Sequence, residues 1–176
     1  MRWLWIDSII EHESEKRLVA VKNISLSEDH LHDYIVGGQV IAPFSLIIEG
    51  MAQTAGILVG SVSRFKEKVI LAKITSATLE RDVTAGDSIR FDATLERLDK
   101  GGASTSGVID RRVAGGDAWE RIGAIELMFS HIDNNMSGVE FPEDNFVFSD
   151  NFKMVLEQAG LAALAEEEVK EEQCLG

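Results

Sequence analysis

Residues Phe44–Val62 read FSLIIEGMAQTAGILVGSV, nineteen residues in which Glu49 carries the only charge. A run this long and apolar has the length of a bilayer span. Glu49, Gln53, Thr54 and Ser61 argue against that reading, as does the lack of a second such segment, so no membrane span is expected. A helix apolar on every side is otherwise the central helix of a soluble core. Pro43 stands just before it, where a missing N–H costs nothing. Gly56 and Gly60, four residues apart, read as packing positions that let another part of the chain come close.

On the C-terminal side of the helix, residues 69–74, 77–83, 88–98, 104–112 and 119–132 are β-rich runs separated by glycine-containing turns. That spacing predicts an antiparallel meander. On the N-terminal side, residues 17–25 (RLVAVKNIS) read as a strand and residues 5–13 as a short helix or turn leading into a first strand. Residues 26–34 are polar and irregular. The predicted architecture is α+β, a curved antiparallel sheet wrapped around one apolar helix. After Asn134-Asn135 the composition shifts: residues 140–149 form a polar, Phe-punctuated loop, and residues 150–172 read as an amphipathic helix. Phe152, Val155, Leu156, Ala159, Leu161 and Leu164 supply its packing face, Gly160 weakens it midway, and residues 166–172 form a solvated tail. The chain thus divides into a main domain, 1–134, and an acidic C-terminal extension, 135–176.

Composition bounds the function. With 176 residues, 45% hydrophobic, the chain suffices for one globular domain. A formal charge of −13 excludes nucleic acid as a partner, because phosphate contacts need clustered Lys and Arg. Residues 140–176 hold ten acids against two lysines, so the first 139 residues are only mildly acidic. Lys16/Arg17/Lys22 and Arg64/Lys66/Lys68/Lys73 then remain as positive groups for an acidic partner or as a solvated face. The single cysteine, Cys174, makes neither an internal disulfide nor a Cys-based zinc site, and its place third from the end misses a prenylation box. No metal is expected. The opening residues run straight into Asp7 with no basic-then-apolar leader, which leads to a cytoplasmic expectation.

Glu49 needs a reason to be where it is. Desolvation disfavours a buried carboxylate by several kcal/mol unless hydrogen bonds or a partner compensate. One reading is a general acid or base held in an apolar site near a helix N-terminus; the other is a glutamate that reaches solvent or a backbone donor. Gln53, at i+4, faces the same side and is placed to hydrogen-bond the carboxyl. The first-turn amides favour negative charge or a polarised carbonyl oxygen. Carboxylate, helix N-terminus and apolar interior together suit an acyl thioester.

The run Pro43-x-Ser45-Leu-Ile-Ile-Glu49-Gly-Met-Ala-Gln53 has Trp5-Ile-Asp7 and Lys16-Arg-Leu-Val-Ala-Val-Lys-Asn23 upstream and Val83-Thr-Ala-Gly-Asp87 downstream. In that order the motifs resemble the FabZ-type 3-hydroxyacyl-acyl-carrier-protein dehydratases over about residues 1–133. The resemblance implies a hot-dog fold and a dimer, or a higher oligomer of dimers. It also implies acyl tunnels at the dimer interface, where one chain supplies a histidine and the other a helix glutamate, here Glu49. It implies no cofactor, the substrate being carried on the phosphopantetheine of an acyl carrier protein or of CoA. Gln53, Gly38, Pro43, Phe44 and Ser45 then become substrate-binding candidates.

The histidine is where the sequence departs from the family. The family pattern His-Phe-Pro-Gly-x-Pro-x-x-Pro-Gly puts the histidine fourteen residues before the glutamate, which here is Ile35. Aligning from Glu28 puts Tyr34 there, with one residue inserted before Pro43. Phe44 replaces the glycine whose amide helps hold the thioester carbonyl in the family. Isoleucine moves no proton, and tyrosine has an ordinary pKa near 10. His32 is the remaining histidine candidate, sharing one side with His30 and Tyr34 if residues 31–34 are extended, roughly 7 Å from position 34. Surface histidines are the alternative for His30 and His32, and His12 and His131 carry no motif. Three readings stand: a divergent dehydratase with Glu49 as acid/base and His32 or Tyr34 as second group; a non-catalytic acyl-binding subunit or heterodimer partner of a histidine-bearing paralogue; and a hot-dog acyl thioesterase.

Overall fold

A computed structural model describes residues 4–31, 35–132 and 150–162. The chain runs through β1 (Ser8–Glu13), β2 (Arg17–Asn23), a 3-10 turn (Asp29–Leu31), β3 (Ile35–Val36), β4 (Gln39–Val40), α1 (Phe44–Val62), β5 (Lys68–Leu79), β6 (Ser88–Asp99), β7 (Gly102–Arg112), β8 (Glu120–Ile132) and α2 (Asp150–Gln158). β1, β2, β5, β6, β7 and β8 form one antiparallel sheet in the order β1-β2-β6-β7-β8-β5, and β3 and β4 form a separate two-stranded hairpin. This is the expected α+β hot-dog architecture, a curved sheet holding a central helix.

The sheet accepts α1 because alternate residues of its strands are apolar or small. Leu18 and Ala20 on β2, Phe91 and Ala93 on β6, Ile109 on β7, and Ile125 and Leu127 on β8 are almost completely buried. They meet Ile47, Met51, Ala55, Ile57 and Leu58 of α1 in one core. Each fully buried aliphatic side chain contributes about 1.5–3 kcal/mol. Although α1 has the length and hydropathy of a membrane span, it packs against five strands and forms the core.

Three expectations need correction. Residues 5–13 contain no helix: Ser8–Glu13 is strand β1, paired to β2 with a bulge between Ile9 and Glu11, as its β-branched pair Ile9-Ile10 favours. Runs 69–74 and 77–83 are mostly one strand, β5, bent by irregularities at Leu71/Lys73 and Ile74/Ser76. That strand also leaves the simple meander and pairs with β8, not β6, so that β2 and β6 cover one flank of α1 while β5 and β8 cover the other. Finally, Gly160 ends the second helix. At φ 71° it turns the chain left-handed, and Leu161 N–H donates to Leu156 O at 2.9 Å, closing a Schellman-type cap. α2 packs on β1, with Val155, Leu156 and Leu161 buried in the main core. The 140–149 loop, the 134/135 boundary, Leu164, the 166–172 tail and Cys174 lie outside the described residues.

Glycines shape the helix contacts by admitting aromatic rings and a thioether. Phe65 sits 3.0 Å from where a β-carbon would stand on Gly60, and Phe129 lies 3.6 Å from the same point on Gly56. A β-carbon on Gly50 would enter the Phe91 ring and lie 3.0 Å from the Trp5 carbonyl oxygen, whereas on Gly107 it would meet the flexible end of Met51. Gly50→Ala is expected to destabilise the fold by about 1–3 kcal/mol, and Gly107→Ala by less because a methionine tip re-packs. Thermal melts of the two variants check the order.

Candidate active site

The start of α1 is fastened to the rest of the molecule by its backbone. Ala42 N–H donates to Val83 O at 2.8 Å, and Ile41 bridges to Thr84. The receiving turn is held in turn by the buried Asp87 carboxylate, which accepts from Thr84 N–H (2.9 Å), Thr84 Oγ1 (3.1 Å) and Ala114 N–H (3.1 Å). Pro43 is the buried N-cap, at φ −59° and ψ 134°, and its carbonyl receives the Leu46 and Ile47 amides. No side chain caps the helix. The Phe44 and Ser45 amides therefore head the helix with no side-chain acceptor capping them.

Glu49 is half-buried one turn into α1. Together with Ser45 and Gln53, each exposed or half-buried, it forms a row at four-residue spacing along α1. It is thus less enclosed than an all-apolar core helix implies, because the sheet covers the opposite side of α1. Gln53 Nε2 donates to Glu49 Oε1 at 2.9 Å, and Gln53 Oε1 accepts the Trp5 backbone N–H at 2.9 Å. With both ends of the amide engaged, its flip is fixed, and the carboxylate receives a donor held in place from the N-terminal segment.

The second half of the expected site is built differently. Ile35–Val36 and Gln39–Val40 pair as a two-residue hairpin over Gly37 (φ 60°) and Gly38 (φ 81°), the geometry of a type I′ turn. Ile35, in one of the two registers for the family histidine, is 60% exposed on this hairpin and has no titratable group. Gly38 is at the exposed tip and serves the turn. His30 is in the 3-10 turn and not on an extended run; His32 and Tyr34 lie outside the described residues.

Other residues resolve into structural contacts. His12 Nε2 lies 3.2 Å from Ser61 Oγ; that hydroxyl donates to Leu58 O at 2.7 Å, so the ring nitrogen is the donor. Burial lowers the His12 pKa below its ordinary 6.5. His131 Nδ1 is 3.3 Å from Glu67. The Lys16/Arg17/Lys22 group makes no open positive patch: Lys16 pairs with Glu13, Arg17 with Asp92 at 2.7 Å and with Glu11, and Lys22 with Asp7 and Glu28. Of the second group, Arg64, Lys66 and Lys73 are exposed and Lys68 is buried. The contribution of Trp5 through its main chain, and the convergence of Asp7 and Glu28 on Lys22, escaped the sequence reading. The only signal was that Trp5, Asp7 and Lys22 belong to the motifs quoted for the family.

Among the described residues no cluster of His, Cys, Asp and Glu is arranged to hold a metal. A small apolar cavity of about 10 Å³ lies under the N-terminus of α1, lined among others by Trp5, Lys22, Leu31, Pro43, Leu46 and Phe91, with room for one water at most.

The FabA-like domain family matches residues 2–118, and the chain belongs to that family. The 3-hydroxyacyl-[acyl-carrier-protein] dehydratase FabZ of Desulforamulus reducens is 31% identical over 130 residues, covering 73% of this chain and 86% of the relative. The FabZ of Bacillus pumilus is 33% identical over 97 residues, covering 54% and 67%. Among solved structures, the dehydratase heterocomplex ApeI:P from Xenorhabdus doucetiae superposes with a TM-score of 0.57 at 17% identity, covering 74% of this chain and 84% of that one. An acyl-CoA hydrolase variant from Staphylococcus aureus gives 0.54 at 12% identity, covering 90% and 93%.

Two outcomes test the site's supports. Gln53→Leu removes the acceptor from the Trp5 amide and is expected to cost about 1–3 kcal/mol in denaturant unfolding. The depressed His12 pKa contributes stability that is present above the ordinary value and lost as pH falls through the folded one. Thermal melts in mildly acidic and neutral buffers should therefore show a smaller acid-side loss for His12→Gln than for the wild type.

Proposed function

We propose that this chain is a divergent dehydratase-like protein of fatty acid biosynthesis, acting in the cytoplasm on 3-hydroxyacyl thioesters carried on the phosphopantetheine of an acyl carrier protein or CoA. The observation that carries this reading is the Trp5–Gln53–Glu49 chain of hydrogen bonds, which orients a carboxylate beside an uncapped helix N-terminus in a member of the FabA-like family. In the forward direction the α-carbon loses a proton, the β-hydroxyl is protonated and departs as water, and the remaining electron pair forms the α,β double bond. Glu49 serves as one acid/base group. The second proton passes through His32 or Tyr34, and the Phe44 and Ser45 amides, flanked by Pro43, polarise the thioester carbonyl.

A second copy of the chain completes the site. The half-exposed stripe on α1 favours a partner surface, and so does β5, a twelve-residue edge strand with Leu71 and Ile74 exposed beside Met128 of β8. Long apolar edges invite pairing with another chain. Ile74→Lys is expected to convert a dimer to monomers by sedimentation velocity, with loss of activity.

The alternative is a non-catalytic acyl-binding subunit that pairs with a histidine-bearing paralogue. The glycine hairpin supports it, by putting an aliphatic side chain in one of the two histidine registers. One assay separates the two. Purified protein is given 3-hydroxyacyl and trans-2-enoyl thioesters, and interconversion is followed alongside thiol release. The dehydratase reading expects interconversion that falls at least about 100-fold in Glu49→Gln with little change in melting temperature. Turnover that survives Glu49→Gln overturns it. Activity only after co-expression with a paralogue favours the alternative, and release of free thiol without interconversion indicates a thioesterase.

A further inference from the structure

Lys22 is a lysine on the inner side of β2, 8% exposed, with no part in the chemistry described so far. Its Nζ lies 3.0 Å from Asp7 Oδ1 and 2.6 Å from Glu28 Oε1. Burial opposes its charge, but the hydrogen bonds it donates to the Glu28 and Asp7 carboxylates outweigh that cost and leave its pKa above the ordinary lysine value.

The two carboxylates come from different parts of the site. Asp7 closes the N-terminal segment whose Trp5 N–H holds Gln53; its other oxygen accepts from Asn23 N–H at 2.7 Å, and its own N–H donates to Val21 O at 2.8 Å. Glu28 opens the 3-10 turn that leads toward the β3–β4 hairpin. Its carbonyl accepts the Leu31 N–H at 3.0 Å, and the Leu31 side chain is 1% exposed. Lys22, Trp5, Leu31, Pro43 and Leu46 line the same small cavity under the start of α1. One ammonium therefore ties the segment that orients Glu49 to the segment that precedes the second proton-transfer group.

We propose that Lys22 is a positioning residue that holds these two halves of the site in register, through Asp7 on one side and Glu28 on the other. The catalytic side of this inference rests on the dehydratase reading; the mechanical side does not. Removing the buried ammonium takes away the contact that the two segments share and leaves each held only by its own bonds.

The test compares Lys22→Met, Lys22→Arg and Glu28→Gln with the wild type by residue-resolved amide exchange and by thioester interconversion. In Lys22→Met the Trp5 and Leu31 amides should exchange at least about 10-fold faster while Ile109 and Ile125 in the sheet change far less. Its kcat should fall about 10- to 100-fold with KM within about twofold, as expected for misplaced catalytic groups. Lys22→Arg should restore most of both. Glu28→Gln, the milder change, should loosen Leu31 and leave Trp5 protected. Exchange rising in the same ratio at all four amides, or at neither Trp5 nor Leu31, overturns the proposal. So does a kcat in Lys22→Met equal to wild type, or a Lys22→Arg no better than Lys22→Met. If the wild type converts no thioester, the dehydratase reading fails, and the exchange pattern alone decides whether Lys22 joins the two segments.

Discussion

A nineteen-residue helix with one charge cannot remain in water, and the rest of the fold is the means of covering it. Five strands share this task because a helix has two flanks: β2 and β6 take one, β8 and β5 the other, with β7 closing the middle. That demand sets the strand order, including the crossing of β5 to the far edge. It also decides where chemistry can occur. A sheet that curves around one side of a helix leaves the opposite side as a stripe, and the polar residues of α1 are concentrated there, with Glu49 and Gln53 one turn apart.

The polar network follows from the cost of leaving such groups unsatisfied. A glutamine side chain has three rotatable bonds and an amide that can flip; engaged at both ends, by Trp5 N–H and Glu49, it keeps one orientation. The energy of each bond is modest, about 0.5–1.5 kcal/mol net, so its value lies in geometry more than in stability. The same holds for the Asp87 turn, where three donors converge on one carboxylate and thereby fix the turn that receives Ala42 and sets the origin of α1. The acid half of the site thus rests on main-chain groups that a few side chains, Gln53 and Asp87 among them, hold in place.

Much of this was legible in the sequence for specific reasons. The helix announced itself by length and apolar content, the strands by Val/Ile runs between glycine turns, and the Glu49–Gln53 contact by its i+4 spacing. What was hidden depended on tertiary pairing. Nothing local in residues 5–13 distinguishes a strand from a short helix until β2 is beside it, and no spacing rule connects Trp5 to Gln53 or Glu28 to Lys22. Gly160 was misread in degree: a glycine inside an amphipathic run lowers helix propensity, but the left-handed cap that turns this into a stop requires the Leu156 carbonyl to be seen.

The hairpin before α1 shows how locally a chain can depart from its family's motif. A type I′ turn needs positive φ at both central positions, which Gly37 and Gly38 supply at little cost. Once those two residues form a tight turn, Ile35 pairs with Val40 and Val36 with Gln39, and this stretch of chain is a hairpin that presents aliphatic groups outward. The hairpin stands outside the six-stranded sheet, and among the described residues its base is tied through Val40, Ile41 and Ala42 to the 83–85 turn. On the dehydratase reading, a proton-transfer group opposite Glu49 is then sought outside residues 35–40, whose side chains carry no titratable group.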